Sequence, residues 1–392
     1  MTPAARLQAA IEILDQILDG DVAEKALTGW ARRSRFAGSK DRAAVRDHVF
    51  TSLRCQRSHA ALGGAYTGRG LIVGALRQDG IEPDTLFTGE GYGPPALSDD
   101  EGLNPHVAAT VAERLDIPEW LWPQFADSLG ENAETAAEAL RHRAPVYIRV
   151  NRLRSGIDQA IEALGEEGII CKKHPAAEAA LEVTEGARRI RNSDTYLSGQ
   201  VELQDAASQA VVEALPLNDG MTVLDYCAGG GGKTLAMAAR AKLSLFAHDA
   251  APRRMQDLSL RADRAGVDVT VLEPDALERS APFDLVLCDA PCSGSGSWRR
   301  SPEGKWRLNA DQLAELQVTQ GEILDSAAEL VAANGVLAYA TCSMLDDENT
   351  NQIRRFIERY PEWNVLSEQS WPVQNGTDGF YVAMLTRAEV DC

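Results

Sequence analysis

The stretch TVLDYCAGGGGKTLAMAARA, residues 222–241, passes from the apolar pattern of a strand through four glycines into a helical pattern. Glycines let the backbone turn sharply and approach a ligand closely, and the helix that begins near Lys233 presents free N–H groups to an anionic moiety. Many nucleotide-binding proteins share such a loop. The stretch therefore predicts a strand–loop–helix unit with a ligand site, but it does not identify the ligand.

The same alternation of strand and helix continues from about residue 205 to the end of the chain. Strands separated by helices of this length predict an α/β fold with a doubly wound, mostly parallel sheet. The strands predicted in this part of the chain are 222–227, 243–249, 268–275, 283–289, 335–342 and 380–387.

The first half of the chain has a different pattern. Residues 1–60 show helical periodicity, whereas residues 145–203 show the short alternations of a small α/β module. We therefore expect three domains. They are a helical domain at 1–135, a small α/β domain at 136–204 and a Rossmann-like domain at 205–392.

Composition and charge restrict the class of protein. The chain has 392 residues, of which 44% are hydrophobic and 25% charged, as is ordinary for a globular protein. Its net charge of −19 argues against indiscriminate binding to nucleic acids, because phosphate contacts need Lys and Arg. Basic residues nevertheless concentrate at 30–60, 141–154 and 298–307, which indicates local surfaces for a polyanion. Solvated faces without a partner are the alternative explanation.

Several features bear on the compartment. No apolar run approaches the ~20 residues that a membrane span needs. The N-terminal pattern carries Glu12 and Asp15 and reads as an amphipathic helix rather than a signal peptide. The seven cysteines are scattered, with neither a disulfide framework nor paired metal-ligand spacing. We expect a cytoplasmic protein that binds neither a membrane nor a metal.

Acidic residues follow three neighbouring strand patterns. Asp249, Asp275 and Asp289 each end a predicted strand. Ligands of such sheets bind at the carboxyl ends of the strands, and an acid there can accept ribose hydroxyls. Three carboxylates above a glycine loop suit a nucleoside-bearing ligand whose other end is an amino acid. The alternative is that an aspartate caps the following helix.

Two cysteines also lie just past strand patterns. Cys292 follows the strand 283–289, and Cys342 ends the strand 335–342, both on the expected ligand side of the sheet. Cys288, inside an apolar strand, is expected to pack in the core. A thiolate near basic residues or a helix N-terminus can act as a nucleophile.

The motifs LDYCAGGGGKT, FDLVLCDAPCSGSGSWRRSPEGKW and YATCSMLDDEN resemble those of the RNA 5-methylcytosine methyltransferases of the Sun/Nop family. The resemblance runs from about residue 140 onward and includes VNRLR, VELQDAASQ and DGFYVAML. The N-terminal GSKDRAAVRDHVFTSLR resembles the NusB-like RNA-binding domain of the RsmB type. The chain departs from the family at Gly229 and Gly230, where Ala-Pro is usual, and at Pro274, where glycine is usual.

The resemblance implies transfer of a methyl group from S-adenosylmethionine to carbon 5 of a cytosine in RNA. Cys342 would be the nucleophile that attacks carbon 6, Cys292 would assist product release, and Asp289 would hydrogen-bond the cytosine edge. The RsmB-type resemblance points to 16S ribosomal RNA. The sequence carries no signal for the oligomeric state, and we expect a monomer. The residues implied for binding S-adenosylmethionine are Cys227, Ala228, Gly229, Gly230, Gly231, Gly232, Lys233, Asp249, Arg254, Asp275 and Asp289.

Other assignments stay open at this point. Arg254, Arg299, Arg300 and Lys305 are candidates either for RNA phosphates or for the structure of the site. A methyltransferase acting on tRNA or DNA is an alternative, although a DNA cytosine methyltransferase would carry its nucleophile in the Pro-Cys motif. A non-enzymatic RNA-binding factor on the same fold is another, and it predicts loss of the cysteines or of the glycine loop, both of which are present.

Overall fold

The structure is a computed structural model that describes residues 1–98 and 108–388 of the chain, so that Cys392 lies outside the described residues. The chain divides into two compact units. The helical unit comprises Met1–Arg143 and Trp298–Asn309, and the sheet unit comprises Ala144–Ser297 and Ala310–Cys392. The three-domain division stays a prediction. In the described residues, no helix is long and apolar enough to cross a membrane.

Amphipathic helices build the helical unit. The apolar positions Leu7, Ile11, Leu14 and Ile17 recur on one face of the first helix and are all buried. The helices described in this unit are Pro3–Leu18, Ala23–Arg33, Ser39–Arg54, Gln56–Gly63, Gly68–Gln78, Val111–Arg114, Trp122–Leu129, Ala133–Arg141 and Pro302–Arg307.

The segment Trp298–Asn309 belongs to the helical unit, although it comes directly after the stretch that carries Asp289 and Cys292 in the sequence. Lys305 is 1% exposed, and its Nζ donates a hydrogen bond to the carbonyl of Arg54 at 3.1 Å. Arg54 is the last residue of the helix Ser39–Arg54, where backbone carbonyls have no partner within the helix. Arg299 is also buried, and its carbonyl accepts a hydrogen bond from Arg54 Nε at 2.9 Å. Because both side chains are buried inside this unit, the structure favours a structural role over contact with RNA phosphates for Arg299 and Lys305, the second of the two alternatives.

The sheet unit begins with a four-stranded antiparallel sheet in the order β2-β3-β1-β4. Its inward residues, among them Ile148 and Leu181, pack on Leu164 of the helix Ile157–Glu166. The strands are β1 Val146–Val150, β2 Ile170–Lys173, β3 Ala180–Glu185 and β4 Val201–Leu203.

A seven-stranded sheet follows, in the order β10-β11-β9-β8-β5-β6-β7. The five strands β9, β8, β5, β6 and β7 run parallel to one another. At one edge, β11 pairs antiparallel with β9, and β10 pairs antiparallel with β11. The strands are β5 Thr222–Asp225, β6 Ser244–Ala247, β7 Thr270–Val271, β8 Phe283–Asp289, β9 Val331–Thr341, β10 Trp363–Trp371 and β11 Phe380–Arg387. This confirms the predicted α/β fold with a mostly parallel sheet.

Helices cover both faces of this sheet. Alternate residues of one strand therefore enter different cores: Val223 and Leu285 pack on one face, Leu224 and Val286 on the other. The helices of the sheet unit are Ile157–Glu166, Asp194–Leu197, Ala206–Ala214, Gly232–Ala238, Leu258–Ala265, Leu277–Ser280, Ala310–Glu329 and Thr350–Arg359.

Two strands differ from the expectation. The strand predicted at 268–275 spans only Thr270–Val271, and Asp275 lies beyond it in the 3₁₀ turn Pro274–Ala276. Pro274 has no N–H to donate to a neighbouring strand, so the ladder cannot extend through it. Strand β10 was not predicted, because most of its residues are exposed at the edge of the sheet and its sequence is largely polar.

Candidate active site

The strand order of the larger sheet brings the sequence motifs together. From β5 the chain proceeds to β6 and β7 on one side and then returns to β8 and β9 on the other. This is the topological switch point at which open α/β sheets bind ligands. The carboxyl ends of these strands carry Asp225, Asp289 and Thr341, followed by the glycine loop and the two cysteine-bearing loops.

The glycine loop needs glycine for steric reasons at two positions. Gly229 and Gly231 have φ values of +50° and +79°, in the left-handed region. A Cβ at Gly231 would also lie 2.1 Å from Leu258 Cδ1. The loop therefore turns directly against the helix Leu258–Ala265, although Gly229 and Gly230 replace the usual Ala-Pro.

Asp249 holds this loop from the next strand. It is 3% exposed, and its carboxylate accepts the Gly229 N–H at 3.0 Å and the Ala251 N–H at 2.9 Å. Arg254, which is more than half exposed, forms an ion pair with the same carboxylate at 3.1 Å. Two sequence-predicted residues thus meet at the loop, where they stabilise its conformation; their contact with a cofactor stays a prediction.

Lys233, near the start of the helix Gly232–Ala238, is buried and forms an ion pair with Asp289, which ends β8 and is about a third exposed. Lys233 Nζ donates to Asp289 Oδ2 at 2.7 Å and lies 4.9 Å from the centre of the Phe380 ring. Burial alone would lower the pKa of Lys233, but the adjacent Asp289 carboxylate outweighs it, so the pKa is raised. Lys233 is therefore a permanent cation that orients Asp289.

Asp225 was not predicted as a site residue, although it ends β5 two residues before Cys227. Thr234 Oγ1 donates to its Oδ2 at 2.6 Å, while its Oδ1 has no hydrogen-bond partner among the described residues. Complete burial raises the pKa of Asp225 to about 7, and the nearby charge of Asp289 adds to this. The buried carboxyl is a feature of packing that the sequence pattern does not reveal.

Cys292 and Cys342 lie side by side, with their sulfur atoms 3.5 Å apart. The hydrogen bond between the two sulfur atoms lowers the pKa of Cys342, and Lys233 acts in the same direction, whereas burial and the Asp289 carboxylate oppose the shift without reversing it. The same hydrogen bond, together with burial, raises the pKa of Cys292 well above its ordinary value. The pair is therefore polarised, with the thiol on Cys292 and the thiolate favoured on Cys342. The two predicted catalytic cysteines are brought together, and their roles stay a prediction.

The other described cysteines of the sheet unit, Cys171, Cys227 and Cys288, are not activated. Burial raises the pKa of Cys227 and of Cys288, and burial raises the pKa of Cys171 to about 11. Cys288 is fully buried in the core, as expected. Cys342 is thus distinguished from the other thiols of this unit by its neighbours rather than by exposure.

Asp275 stands apart from this cluster. Its side chain is largely exposed and pairs with Arg279 at 3.1 Å. Within the described part of the chain, no hydrogen bond or ion pair joins it to another predicted site residue. Its contact with a cofactor remains a prediction.

Gly296 closes the Cys292 loop against neighbouring backbone. Its N–H donates to the Cys342 carbonyl at 2.9 Å, and its carbonyl accepts the Gly379 N–H at 2.9 Å. A Cβ here would lie 2.1 Å from the Gly379 carbonyl oxygen, which belongs to the backbone and cannot rotate away. We expect Gly296→Ala to lower the free energy of unfolding by about 1–3 kcal/mol, measured by urea denaturation.

The control for this substitution is Gly321→Ala. Gly321 lies in the helix Ala310–Glu329, and an added Cβ would meet nothing closer than Arg359 Nη2 at 3.9 Å. That variant is expected to be stabilised by roughly 0.5–1 kcal/mol, because alanine is the better helix former. Equal stability of the two variants would contradict the close backbone approach at Gly296.

Comparisons with known proteins identify the family of this chain. The family model described as 16S rRNA methyltransferase RsmB/F matches residues 212–386, and the ferredoxin-like domain of RsmF/B-like methyltransferases matches residues 117–188. Ribosomal RNA small subunit methyltransferase B of Vibrio cholerae is 32% identical over 302 residues, which cover 74% of this chain and 69% of that protein. The same enzyme of Xanthomonas campestris is 31% identical over 351 residues, which cover 84% and 77% of the two chains.

Among solved structures, PH0851 superposes with a TM-score of 0.74 at 24% identity over 99% of both chains, a likeness that concerns the fold alone. The sequence relatives go further, because their identity extends over more than two thirds of their length. The predicted membership of the Sun/RsmB group is confirmed: this chain belongs to the RsmB/F family of 16S rRNA methyltransferases.

Proposed function

We propose that this protein transfers a methyl group from S-adenosylmethionine to carbon 5 of a cytosine in small-subunit ribosomal RNA, through a covalent bond between Cys342 and the base. The observation that carries the proposal is the pair of cysteines beyond the ends of β8 and β9, whose sulfur atoms lie 3.5 Å apart. Family membership supports ribosomal RNA as the substrate, since the relatives are named as ribosomal RNA methyltransferases.

The residues at the switch point fit the proposed cofactor. S-adenosylmethionine supplies an electrophilic methyl group on a sulfonium and also carries an ammonium group. Asp225 has an unpartnered buried oxygen, and the charges of Asp249 and Asp289 are close enough to raise its pKa further. Such a concentration of carboxyl groups favours a cationic ligand. Asp225, Asp289 and the backbone of the glycine loop would hold it.

The cysteine pair supplies what cytosine chemistry needs. Carbon 5 of cytosine is a weak nucleophile until a thiolate adds to carbon 6, which turns the ring into an enamine. Cys342 is the thiolate suited to that addition, because Cys292 and Lys233 both favour its ionised form. After methylation, a water molecule takes the proton from carbon 5, the electron pair of that bond restores the double bond between carbons 5 and 6, and the bond from carbon 6 to Cys342 breaks to release the thiolate. The Cys292 thiol is placed to stabilise the leaving sulfur.

Asp289 is proposed to contact the cytosine edge. Lys233 holds its Oδ2 atom, whereas about a third of the Asp289 side chain remains exposed. The other oxygen is thereby left to accept a hydrogen bond from the base, and Lys233 fixes the orientation of the carboxylate. The base must be unstacked to enter, as in other enzymes that act on a ring face.

The test is methyl transfer itself. Purified protein is incubated with methyl-labelled S-adenosylmethionine and unmodified small-subunit ribosomal RNA, and the RNA is digested to nucleosides for mass spectrometry. The expected product is labelled 5-methylcytidine, with less or none from tRNA or DNA of equal length. Label in another nucleoside, preference for tRNA or DNA, or RNA binding without transfer would each contradict the proposal.

A further inference from the structure

Glu348 lies in the core of the site without taking part in the chemistry described above. It is 0% exposed and ends the 3₁₀ turn Asp346–Glu348, which follows the Cys342 loop. Its carboxylate accepts hydrogen bonds from neutral donors on three different parts of the sheet unit. These donors are the Ser293 N–H at 2.8 Å, the Ser293 hydroxyl, the Ser343 hydroxyl and Gln320 Nε2 at 3.0 Å.

The positions of these donors relate Glu348 to both cysteines. Ser293 directly follows Cys292, and Ser343 directly follows Cys342. One carboxylate oxygen, Oε2, accepts from both serine hydroxyls and therefore joins the two loops at a single atom. Gln320 also donates to the carbonyl of Pro291, at 2.9 Å, on the other side of Cys292.

A carboxylate suits this position because it only accepts hydrogen bonds. Its two oxygens offer about four lone-pair sites, which match the four donors that surround it. An amide in its place would present two donors of its own toward groups that also donate. Burying a carboxylate among neutral donors is costly, so its presence beside both cysteines calls for a specific task.

We propose that Glu348 is a positioning residue that holds the Cys292 loop and the Cys342 loop together and thereby fixes the separation of their sulfur atoms. Its importance for catalysis rests on the proposed function, but the geometric role does not. Its negative charge also bears on the pair. The pKa of Cys292 is raised mainly by its hydrogen bond with Cys342 and by burial, and the charge of Glu348 raises it further.

The test measures the two thiols directly, without RNA or cofactor. Initial rates of iodoacetamide alkylation at Cys292 and Cys342 are followed by peptide mass spectrometry in the full-length protein between pH 6 and pH 9. In the wild type we expect Cys342 to react faster. In Glu348→Gln we expect the ratio of the Cys342 rate to the Cys292 rate to fall by about tenfold, because both the shared acceptor and the charge are lost.

Two further variants separate the possible causes. Glu348→Asp keeps the charge but is one methylene shorter, so it cannot reach both loops, and we expect the ratio to fall there as well. Asp347→Asn removes a neighbouring charge whose carboxylate contacts Asn351 rather than the cysteine loops, and we expect no change. A wild-type ratio in Glu348→Asp would overturn the geometric role and leave only an effect of charge.

Ser293→Ala tests the same contact in case Glu348→Gln does not fold. This variant removes one donor from Glu348 and leaves three in place, so we expect a folded protein with a smaller fall in the ratio. If Glu348→Gln does not fold, Ser293→Ala decides, and an unchanged ratio overturns the proposal. The two proposals can fail separately. If the ratio falls in the variants but the wild type transfers no methyl group, the positioning role of Glu348 is supported and the proposed function is refuted.

Discussion

Cys342→Ala is expected to abolish methyl transfer, with a loss of about 10⁴-fold or more, and to form no covalent bond with RNA. The reason is that, among the residues that the structure describes, no other thiol is suited to take its place. Cys292 lies 3.5 Å away in the wild type, and burial and the charge of Glu348, which both raise its pKa, remain when Cys342 is replaced. Cys288 is fully buried in the core. Without Cys342, the described part of the site therefore offers no thiolate that could add to carbon 6 of cytosine.

Cys292→Ala is expected to have the opposite phenotype. Cys342 keeps Lys233 and the Ser297 hydroxyl, which lies 3.9 Å from its sulfur, so addition to the base still proceeds. Expulsion of the sulfur loses the thiol that stabilises it, so the covalent protein–RNA complex accumulates. The accumulation is measured on denaturing gels after incubation with S-adenosylmethionine and ribosomal RNA.

Cys171→Ala serves as the control for both cysteine variants, because that cysteine lies on β2 of the smaller sheet. It should behave as the wild type, with turnover and little trapped complex. If the covalent complex instead requires Cys292 and survives Cys342→Ala, the nucleophile is the Pro-Cys residue. The assignment of roles would then be reversed, as in the DNA cytosine methyltransferases.

The second large effect is expected on stability, from Asp225. Its pKa of about 7 in the folded chain compares with an ordinary value of 3.8. Because the folded chain holds the proton more tightly, the stabilisation is complete below about pH 4 and is lost as the pH rises through 7. At about 1.4 kcal/mol per pH unit, the free energy of unfolding falls by up to about 4 kcal/mol from this group.

Asp225→Asn removes this dependence, since the amide is neutral at every pH and its oxygen can still accept from Thr234. We expect the variant to be less sensitive to pH between 4 and 8 and to gain stability relative to the wild type toward pH 8. Urea denaturation at several pH values measures both, and the exposed Asp311→Asn is the control. Parallel curves for wild type and Asp225→Asn would mean that Asp225 is ionised in the folded protein at neutral pH.

Much of the fold follows from local patterns. Strand and helix periods place five of the six strands predicted for the larger sheet within a few residues of their observed bounds. The strand predicted at 268–275 is reduced to Thr270–Val271, and Pro274 prevents it from reaching Asp275. Strand β10 escapes prediction because an exposed edge strand carries little apolar signal. Both differences arise where the local pattern is weakest.

The sequence by itself determined the family, the parallel sheet, the glycine loop and the two cysteines past the ends of β8 and β9, because these depend on residues that are close along the chain. Tertiary structure alone decided the rest. Lys305 is part of a basic stretch in the sequence but is buried in the structure. The carboxylate of Asp249 accepts a hydrogen bond from the Gly229 N–H of the glycine loop. Glu348 joins loops that lie 50 residues apart in the chain. These outcomes depend on which distant groups meet in the folded chain and on how deeply they are buried, and neither is encoded in local periodicity.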